Sequence, residues 1–325
     1  MQPRAQLSPR RLPRFRESLL AWYDANRREL PWRKTRDPYR VWISEIMLQQ
    51  TRVAAVLPRY EQFMCKFPSV GELAAAKVTA VLAEWSGLGY YHRARNLHAA
   101  AKKIVRQQGG AFPQTVEGLR EMPGIGRYTA AAIASIAFGE PTAVLDGNVE
   151  RVLRRMFNRL HSNRESWAAA QKLIDHHRPG DFNQAMMELG ATVCVPNQPL
   201  CAQCPIMKFC RTRGCGVART TKPRQQKRAA YYSLAAKRGS VLLLQRSSKE
   251  SLMPGMWELP KLDCSTGKPL FAVRHSITVT DYTVYVVAHS GVSVTSAKWI
   301  RISRLKQLPL TGLTKKILRK ARIIE

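Results

Sequence analysis

The sequence predicts a multidomain protein with an all-α domain over residues 1–210, a basic linker over 211–230 and an α+β domain over 231–325. Three observations carry that division. Residues 12–210 repeat apolar side chains at the 3.6-residue helical period, as in Phe15, Leu19, Leu20 and Tyr23 or in Val149, Val152, Leu153 and Met156, with hardly any β-type alternation. Residues 211–230 hold seven basic residues, no acidic ones, two Gly and one Pro, the composition of an extended tether. Beyond them come short β-type runs, at Tyr231–Ala235, Val241–Gln245, Thr283–Ala288 and Lys298–Ile302, separated by Gly, Pro and Ser, with one late helix around Leu313–Ala321. A chain of 325 residues that is 45% hydrophobic has enough apolar material for two cores.

Charge narrows the function classes. Fifty-three Lys and Arg against 22 Asp and Glu leave +31, divided as +13, +7 and +11 among the helical part, the linker and the remainder. All three parts are therefore suited to a polyanion, and nucleic acid is the expected one. The longest small and apolar stretch, Thr129–Phe138, has about half of the roughly 20 residues that span a bilayer, and the Arg-rich start lacks the apolar segment of a signal peptide. A soluble cytoplasmic protein without a membrane partner is the expectation.

Taken in chain order, the first chemical candidate is Glu45. On a helix its neighbours Val41, Trp42 and Leu48, at i−4, i−3 and i+3, are apolar, so desolvation should raise its pKa and make it a usable acid at neutral pH. Next, Pro123-Gly124-Ile125-Gly126-Arg127-Tyr128-Thr129 stands between two helical patterns. Two glycines around one apolar residue let a tight hairpin present backbone N–H groups to a phosphate at a helix N-terminus, as in helix-hairpin-helix DNA binding. Asp146 follows an apolar run and precedes Gly147, Asn148 and the helical pattern from Val149, which makes it an N-cap as well as a candidate carboxylate. Cys194, Cys201, Cys204 and Cys210, four of the seven cysteines within 17 residues, form a metal-ligand constellation, for zinc or a [4Fe–4S] cluster as far as the spacing says. Nothing assigns a role to Cys65, Cys215 or Cys264.

The hairpin, an Asp about 20 residues later and the Cys-x6-Cys-x2-Cys-x5-Cys loop together resemble the endonuclease III superfamily of DNA glycosylases. Leu30-Pro31-Trp32-Arg33, the run from Trp42 to Thr51 and Gly87-Leu88-Gly89-Tyr90-Tyr91 are similar to the MutY-type adenine glycosylase branch, and Leu252–Pro260 resembles its NUDIX-like C-terminal domain. The resemblance implies base-excision repair by hydrolysis of the N-glycosidic bond of adenine mispaired with 8-oxoguanine or guanine. It implies one [4Fe–4S] cluster and duplex DNA as partner, met by a monomer that is nucleoid-associated in a bacterium. Glu45 would protonate adenine, Asp146 would stabilise the sugar cation and Asn148 would support the acid and the attacking water, a division suited to two carboxylates in different environments. Lyase relatives carry a Schiff-base Lys where this chain has Tyr128, so strand cleavage is expected to be absent. Gln50 and Thr51 would approach the orphaned partner base, Tyr90 would wedge beside it, Arg33 and Gln184 would line the adenine pocket, and Gly124 and Gly126 would hold phosphate. Core packing is the plain alternative for Tyr90 and Tyr91, with one of the pair buried.

The C-terminal domain departs from NUDIX pyrophosphatases. Its only Glu residues, Glu250, Glu258 and Glu325, are too dispersed for a Mg²⁺-binding helix, which leaves a binding domain. Where the family shows His-x-Phe-Ser-His near 8-oxoguanine, this chain has His275-Ser276-Ile277-Thr278-Val279. Thr278 keeps a hydroxyl for the lesion, and a β-hairpin over 276–282 is the structural alternative. Rival readings are a non-catalytic iron–sulfur damage sensor and a bifunctional pyrimidine-lesion lyase. Intact Glu45 and Asp146 oppose the first, and Tyr128 with Glu45 the second.

Overall fold

Helix-period and strand-period patterning place the elements along the chain, and tertiary contacts then sort them into two compact units. The structure, a computed structural model, describes residues 7–158, 160–214, 226–247, 249–250, 252–263, 267–277, 280–288 and 296–324. Thr278, Cys215, Cys264 and linker residues 215–225 lie outside the described residues. The first unit comprises Met1–Tyr60 and Lys103–Thr221, the second Glu61–Lys102 and Lys222–Glu325.

Among the described residues eleven α-helices precede residue 193. They are α1 (Leu12–Asn26), α2 (Pro38–Leu48), α3 (Val53–Lys66), α4 (Val70–Ala75), α5 (Val78–Glu84), α6 (His92–Gln108), α7 (Val116–Arg120), α8 (Arg127–Phe138), α9 (Gly147–Phe157), α10 (Asn163–Leu173) and α11 (Pro179–Thr192). The apolar stripe Phe15, Leu19, Leu20 and Tyr23 is the buried face of α1. Local chemistry sets the starts. Asp37 accepts from the Tyr39 N–H at the head of α2, Asp146 from Val149 at the head of α9, and Ser162 with Glu165 forms a capping box on α10. Helix α2 packs on α8, and α11 packs on α1, α8 and α9. The contact between α11 and α9 is close because Gly190 has no side chain, since a Cβ there would lie 2.7 Å from the Cβ of Asn148 and 3.0 Å from its carbonyl atoms.

Among the described residues the second unit holds two four-stranded sheets. Strands β1 (Gln226–Leu234), β2 (Ala236–Lys237), β3 (Ser240–Gln245), β4 (Trp257–Glu258), β5 (Lys261–Leu262), β6 (Phe271–Ile277), β7 (Thr280–Ala288) and β8 (Ala297–Arg301) are followed by α12 (Gly312–Lys320). One sheet runs β5-β1-β7-β6, with β1 parallel to β7; the other runs β2-β3-β4 with β8 also on β3. Val241, Leu243, Trp257, Val273, Val284, Val286, Leu310, Ile317 and Leu318 form their common core.

Two differences from the sequence reading have physical causes. The expected linker ends earlier than residue 230, because Gln226–Ala230 already pair with Thr280–Val284 through backbone bonds that need no apolar side chains. Residues 61–102, helical as expected, compact with the strands. Ser86 Oγ and Tyr91 Oη donate to the Leu310 carbonyl at 2.6 and 3.4 Å, and Arg95 Nη2 donates to the Pro254 carbonyl at 2.5 Å. The hairpin alternative over 276–282 matches the pairing of Ile277 with Thr280, and the Ser276 hydroxyl donates to the Asp281 carboxylate.

Candidate active site

Helix α2 is enclosed on nearly every side, so Glu45 cannot reach water as a surface carboxylate would. It is 5% exposed, beside buried Val41, Trp42, Ile46 and Met47. Tyr128, in the first turn of α8, donates its hydroxyl to Glu45 Oε2 at 2.7 Å and lies 3.2 Å from Met187 Sδ. Burial pushes Glu45 up to about 7. The Tyr128 hydrogen bond opposes that rise, the negative charge of Asp146 adds to it and Arg33 opposes it. Tyr128 is itself raised well above its ordinary value, by burial and then by the two carboxylates.

Asp146 is the N-cap of α9. Its Oδ1 accepts from the Val149 N–H at 2.7 Å and its Oδ2 from Asn148 Nδ2 at 3.0 Å. Burial raises its pKa, against the bonds from Val149 and Asn148 that favour the ionised form. Asn148 is held in turn by Arg151, whose Nη2 donates to Asn148 Oδ1 at 2.9 Å and to the Gly190 carbonyl at 2.6 Å, while its Nε donates to the Cys194 carbonyl at 2.9 Å. A continuous hydrogen-bonded path thus joins the cysteine loop to Asp146.

Two residues of this region escaped the sequence reading. Glu188 of α11 is 1% exposed and binds Arg28 bidentately at 2.7 Å to each oxygen, and it also binds Arg33 at 2.8 Å. Burial would raise its pKa, but the hydrogen bonds from both arginines outweigh burial and hold it at about 2. The signal was present, because Glu188 sits beside Met186, Met187 and Leu189 just as Glu45 sits in its own apolar setting. Arg33, so anchored, lies over the Tyr23 ring 5.6 Å from its centroid. Gln184, half-buried, lies one helical turn before Glu188 and shares its side of α11 with Met187.

Among the other expected residues, Gln50 is exposed in a left-handed conformation (φ 54°) just after α2, and Thr51 follows it half-buried. Gly124 adopts φ 76° and Gly126 is the N-cap of α8 with no side-chain cap, so the hairpin places Ile125 inward and leaves the first N–H groups of α8 uncapped by any side chain. Tyr90 belongs to the second unit, exposed, with Tyr91 buried after it.

The four cysteines Cys194, Cys201, Cys204 and Cys210 line one cavity of about 430 Å³, including its open mouth, together with Arg155, Leu189 and Ile206. Burial pushes the Cys204 thiol up to about 11, and the charges of Cys194, Cys210 and Cys201 push the same way. Arg155 Nη1 approaches Cys194 Sγ at 3.3 Å. Among the described residues, no three His, Cys, Asp or Glu side chains converge as the ligands of a single metal ion. Nor is any described helix long and apolar enough to cross a membrane.

Comparison with known proteins agrees with this geometry. The family described as HhH-GPD superfamily base excision DNA repair protein matches residues 43–175, which include Glu45, the hairpin and Asp146. A human adenine DNA glycosylase is 51% identical over 214 residues, covering 61% of this chain and 39% of the human one. The Arabidopsis thaliana adenine DNA glycosylase is 37% identical over 300 residues, 77% of this chain and 47% of that protein. One from Buchnera aphidicola is 38% identical over 203 residues, with 61% and 58% covered. The chain thus spans about two fifths to three fifths of the length of these relatives. Among solved structures, a thermostable thymine-DNA glycosylase superposes with a TM-score of 0.59 at 29% identity, over 64% of this chain and 99% of its own. A trapped endonuclease III–DNA covalent intermediate, at 23% identity, shares the fold with a TM-score of 0.56 over 64% and 98%. Residues 43–175 are thus similar to the HhH-GPD superfamily of base excision DNA repair proteins, and the human, Arabidopsis thaliana and Buchnera aphidicola relatives that the chain resembles are adenine DNA glycosylases.

Proposed function

We propose that the protein is a monofunctional adenine DNA glycosylase that hydrolyses the N-glycosidic bond of adenine opposite 8-oxoguanine or guanine. The observation that carries this reading is the pairing of a buried carboxyl, Glu45, raised to about 7 and bonded by Tyr128, with a second carboxyl, Asp146, which burial also raises but which Val149 N–H and Asn148 Nδ2 hold by donating to it. Glu45 gives its proton to the adenine ring, the C1′–N9 electron pair leaves with the base, and Asp146 stabilises the cationic sugar until water adds to C1′. Tyr128 fixes the Glu45 carboxyl, and with no amine at that position the enzyme forms no Schiff base and leaves the strand intact. Asn148 orients Asp146, and Arg33 and Gln184, with Glu188 and Arg28, shape the base pocket. Gly124 and Gly126 hold a backbone phosphate, and Gln50 and Thr51 meet the partner base.

The four cysteines line a common cavity and would hold one [4Fe–4S] cluster through four thiolates. Bound there, the cluster would tie the 194–210 loop to the end of α11 and hence to Arg151. Residues 231–325 serve as a NUDIX-like reader of the lesion, with Thr278 as the hydroxyl that meets it, and the enzyme works as a monomer on cytoplasmic or nucleoid DNA. A labelled duplex with adenine opposite 8-oxoguanine tests the activity. Base release that needs alkali to break the strand is the expected result. Breakage without alkali would establish a lyase, and binding without release a sensor. A broad visible absorption band, lost as acid releases iron, tests the cluster.

A further inference from the structure

The turn after α5 is wound against the preference of ordinary residues. Gly87 (φ 106°), Gly89 (φ 71°) and Tyr90 (φ 47°) all adopt left-handed backbone within four positions, and Tyr90 is the member that pays a steric penalty for it. Such a conformation persists only where its surroundings over-determine it, and here Arg93 does so from beneath. Arg93 is 5% exposed and its guanidinium lies 5.4 Å from the ring centroids of both Trp85, which is fully buried, and Tyr90. Its Nη2 donates to the Leu88 carbonyl at 3.1 Å and to the Gly89 carbonyl at 3.3 Å, and its backbone N–H donates to the Tyr90 carbonyl at 2.9 Å. Trp85 Nε1 adds a bond to the Gly89 carbonyl at 3.2 Å.

The result is a tyrosine that is 41% exposed yet seated on a buried cation, beside the exposed His92 ring 6.2 Å away. An exposed aromatic usually has rotamer freedom to lose on binding, whereas this one is set before any ligand arrives. On a protein that extrudes a base from a duplex, a rigid aromatic plate is what fills the gap in the stack, because opening a base step is already costly and a prepositioned ring avoids a further ordering cost.

We infer that Arg93 is a positioning residue that locks Tyr90 into the conformation in which it enters the DNA stack, without itself touching DNA. This rests on the proposed base-extruding activity. The test uses a duplex with adenine opposite 8-oxoguanine and 2-aminopurine beside the adenine, whose fluorescence rises when the stack opens. It compares the parent with Arg93→Lys, Tyr90→Ala, the double variant and Gly89→Ala. Lysine keeps the charge but lacks the planar fork that spans two rings and two carbonyls. Gly89→Ala offers a route that leaves the arginine in place, since the added Cβ meets nothing within 4 Å and acts only through the positive φ. Each single variant is expected to slow stack opening roughly ten- to hundredfold with a retained cooperative melt, and Arg93→Lys and Gly89→Ala should leave affinity for undamaged duplex unchanged. The double variant should be no slower than Tyr90→Ala alone, because the arginine acts through the tyrosine.

Parental opening rates in both Arg93→Lys and Gly89→Ala, or strictly additive losses in the double variant, would overturn the inference. The activity itself fails separately. If the parent releases no adenine but opens the stack in an Arg93-dependent way, the wedge stands and the glycosylase reading falls.

Discussion

Glu45 owes its acidity to where α2 buries it, and the sign of that effect sets a pH profile. With the folded value raised to about 7, the acid form is lost as pH rises through that value, so single-turnover excision should fall on the alkaline side of about pH 7. Tyr128 donates to the ionised form and so holds the value down; Tyr128→Phe should move the falling limb to higher pH, measured as a pH–rate profile. The same rise makes Glu45 a destabilising group above its unfolded value, with stability falling as pH goes from about 4.5 through about 7. Glu188 behaves oppositely, its stabilisation present above about 4.5 and lost as pH falls towards about 2. Asp146→Asn separates capping from catalysis. Asn caps a helix about as well as Asp, so the thermal midpoint should hardly move while base release is abolished, and near-normal release would remove Asp146 from the reaction. Sequence neighbours single out Glu45 and Asp146 as candidates. They set Glu188 among Met186, Met187 and Leu189 but do not show its arginine partners, which lie 155 and 160 positions away.

At the scale of elements, the spacing of α9 and α11 sets where Asn148 and Arg151 stand beside Asp146. Gly190 lets α11 approach the Asn148 backbone, and Arg151 bridges Asn148, the Gly190 carbonyl and the Cys194 carbonyl. Gly190→Ala must push α9 away at its N-terminal end, where Asp146 sits. Overpacking of this kind costs about 1–3 kcal/mol, and we expect a lowered melting temperature with a larger loss in kcat than in DNA affinity. Equal kcat in the folded variant would mean that the helix spacing is immaterial to the reaction. Strands show the complementary limit of sequence patterning. The runs near Val241, Thr283 and Lys298 were legible from their β-branched and apolar content, but β6, Phe271–Ile277, mixes Arg274, His275 and Ser276 into an edge position and becomes a strand by pairing with β7.

For the whole molecule the controlling quantity is +31. Each neutralised phosphate releases condensed counterion, so log affinity for undamaged duplex should fall linearly with log salt, by about 0.9 per contact. Lys227 and Arg228, within the expected linker of 211–230, are exposed at the start of β1. Changing both to Gln should flatten the slope and weaken damaged and undamaged DNA alike, as followed by binding titrations across a salt series. An unchanged slope would place these two side chains away from the backbone.

The sequence by itself determined what is local in origin. Helical and strand periods, capping residues, the glycine hairpin, the cysteine spacing and the excess of positive charge are all short-range or compositional, and they located the domains' textures and the two carboxylates. Only the tertiary structure decided which of Tyr90 and Tyr91 is exposed, that residues 61–102 compact with the strands, and that Glu188 anchors Arg28 and Arg33. It also brought Tyr128 onto Glu45, 83 positions apart in sequence. The reason is physical. Burial and the partners of a charge depend on segments far apart in the chain, and one sequence carries no record of which distant segments meet until packing has removed the water between them.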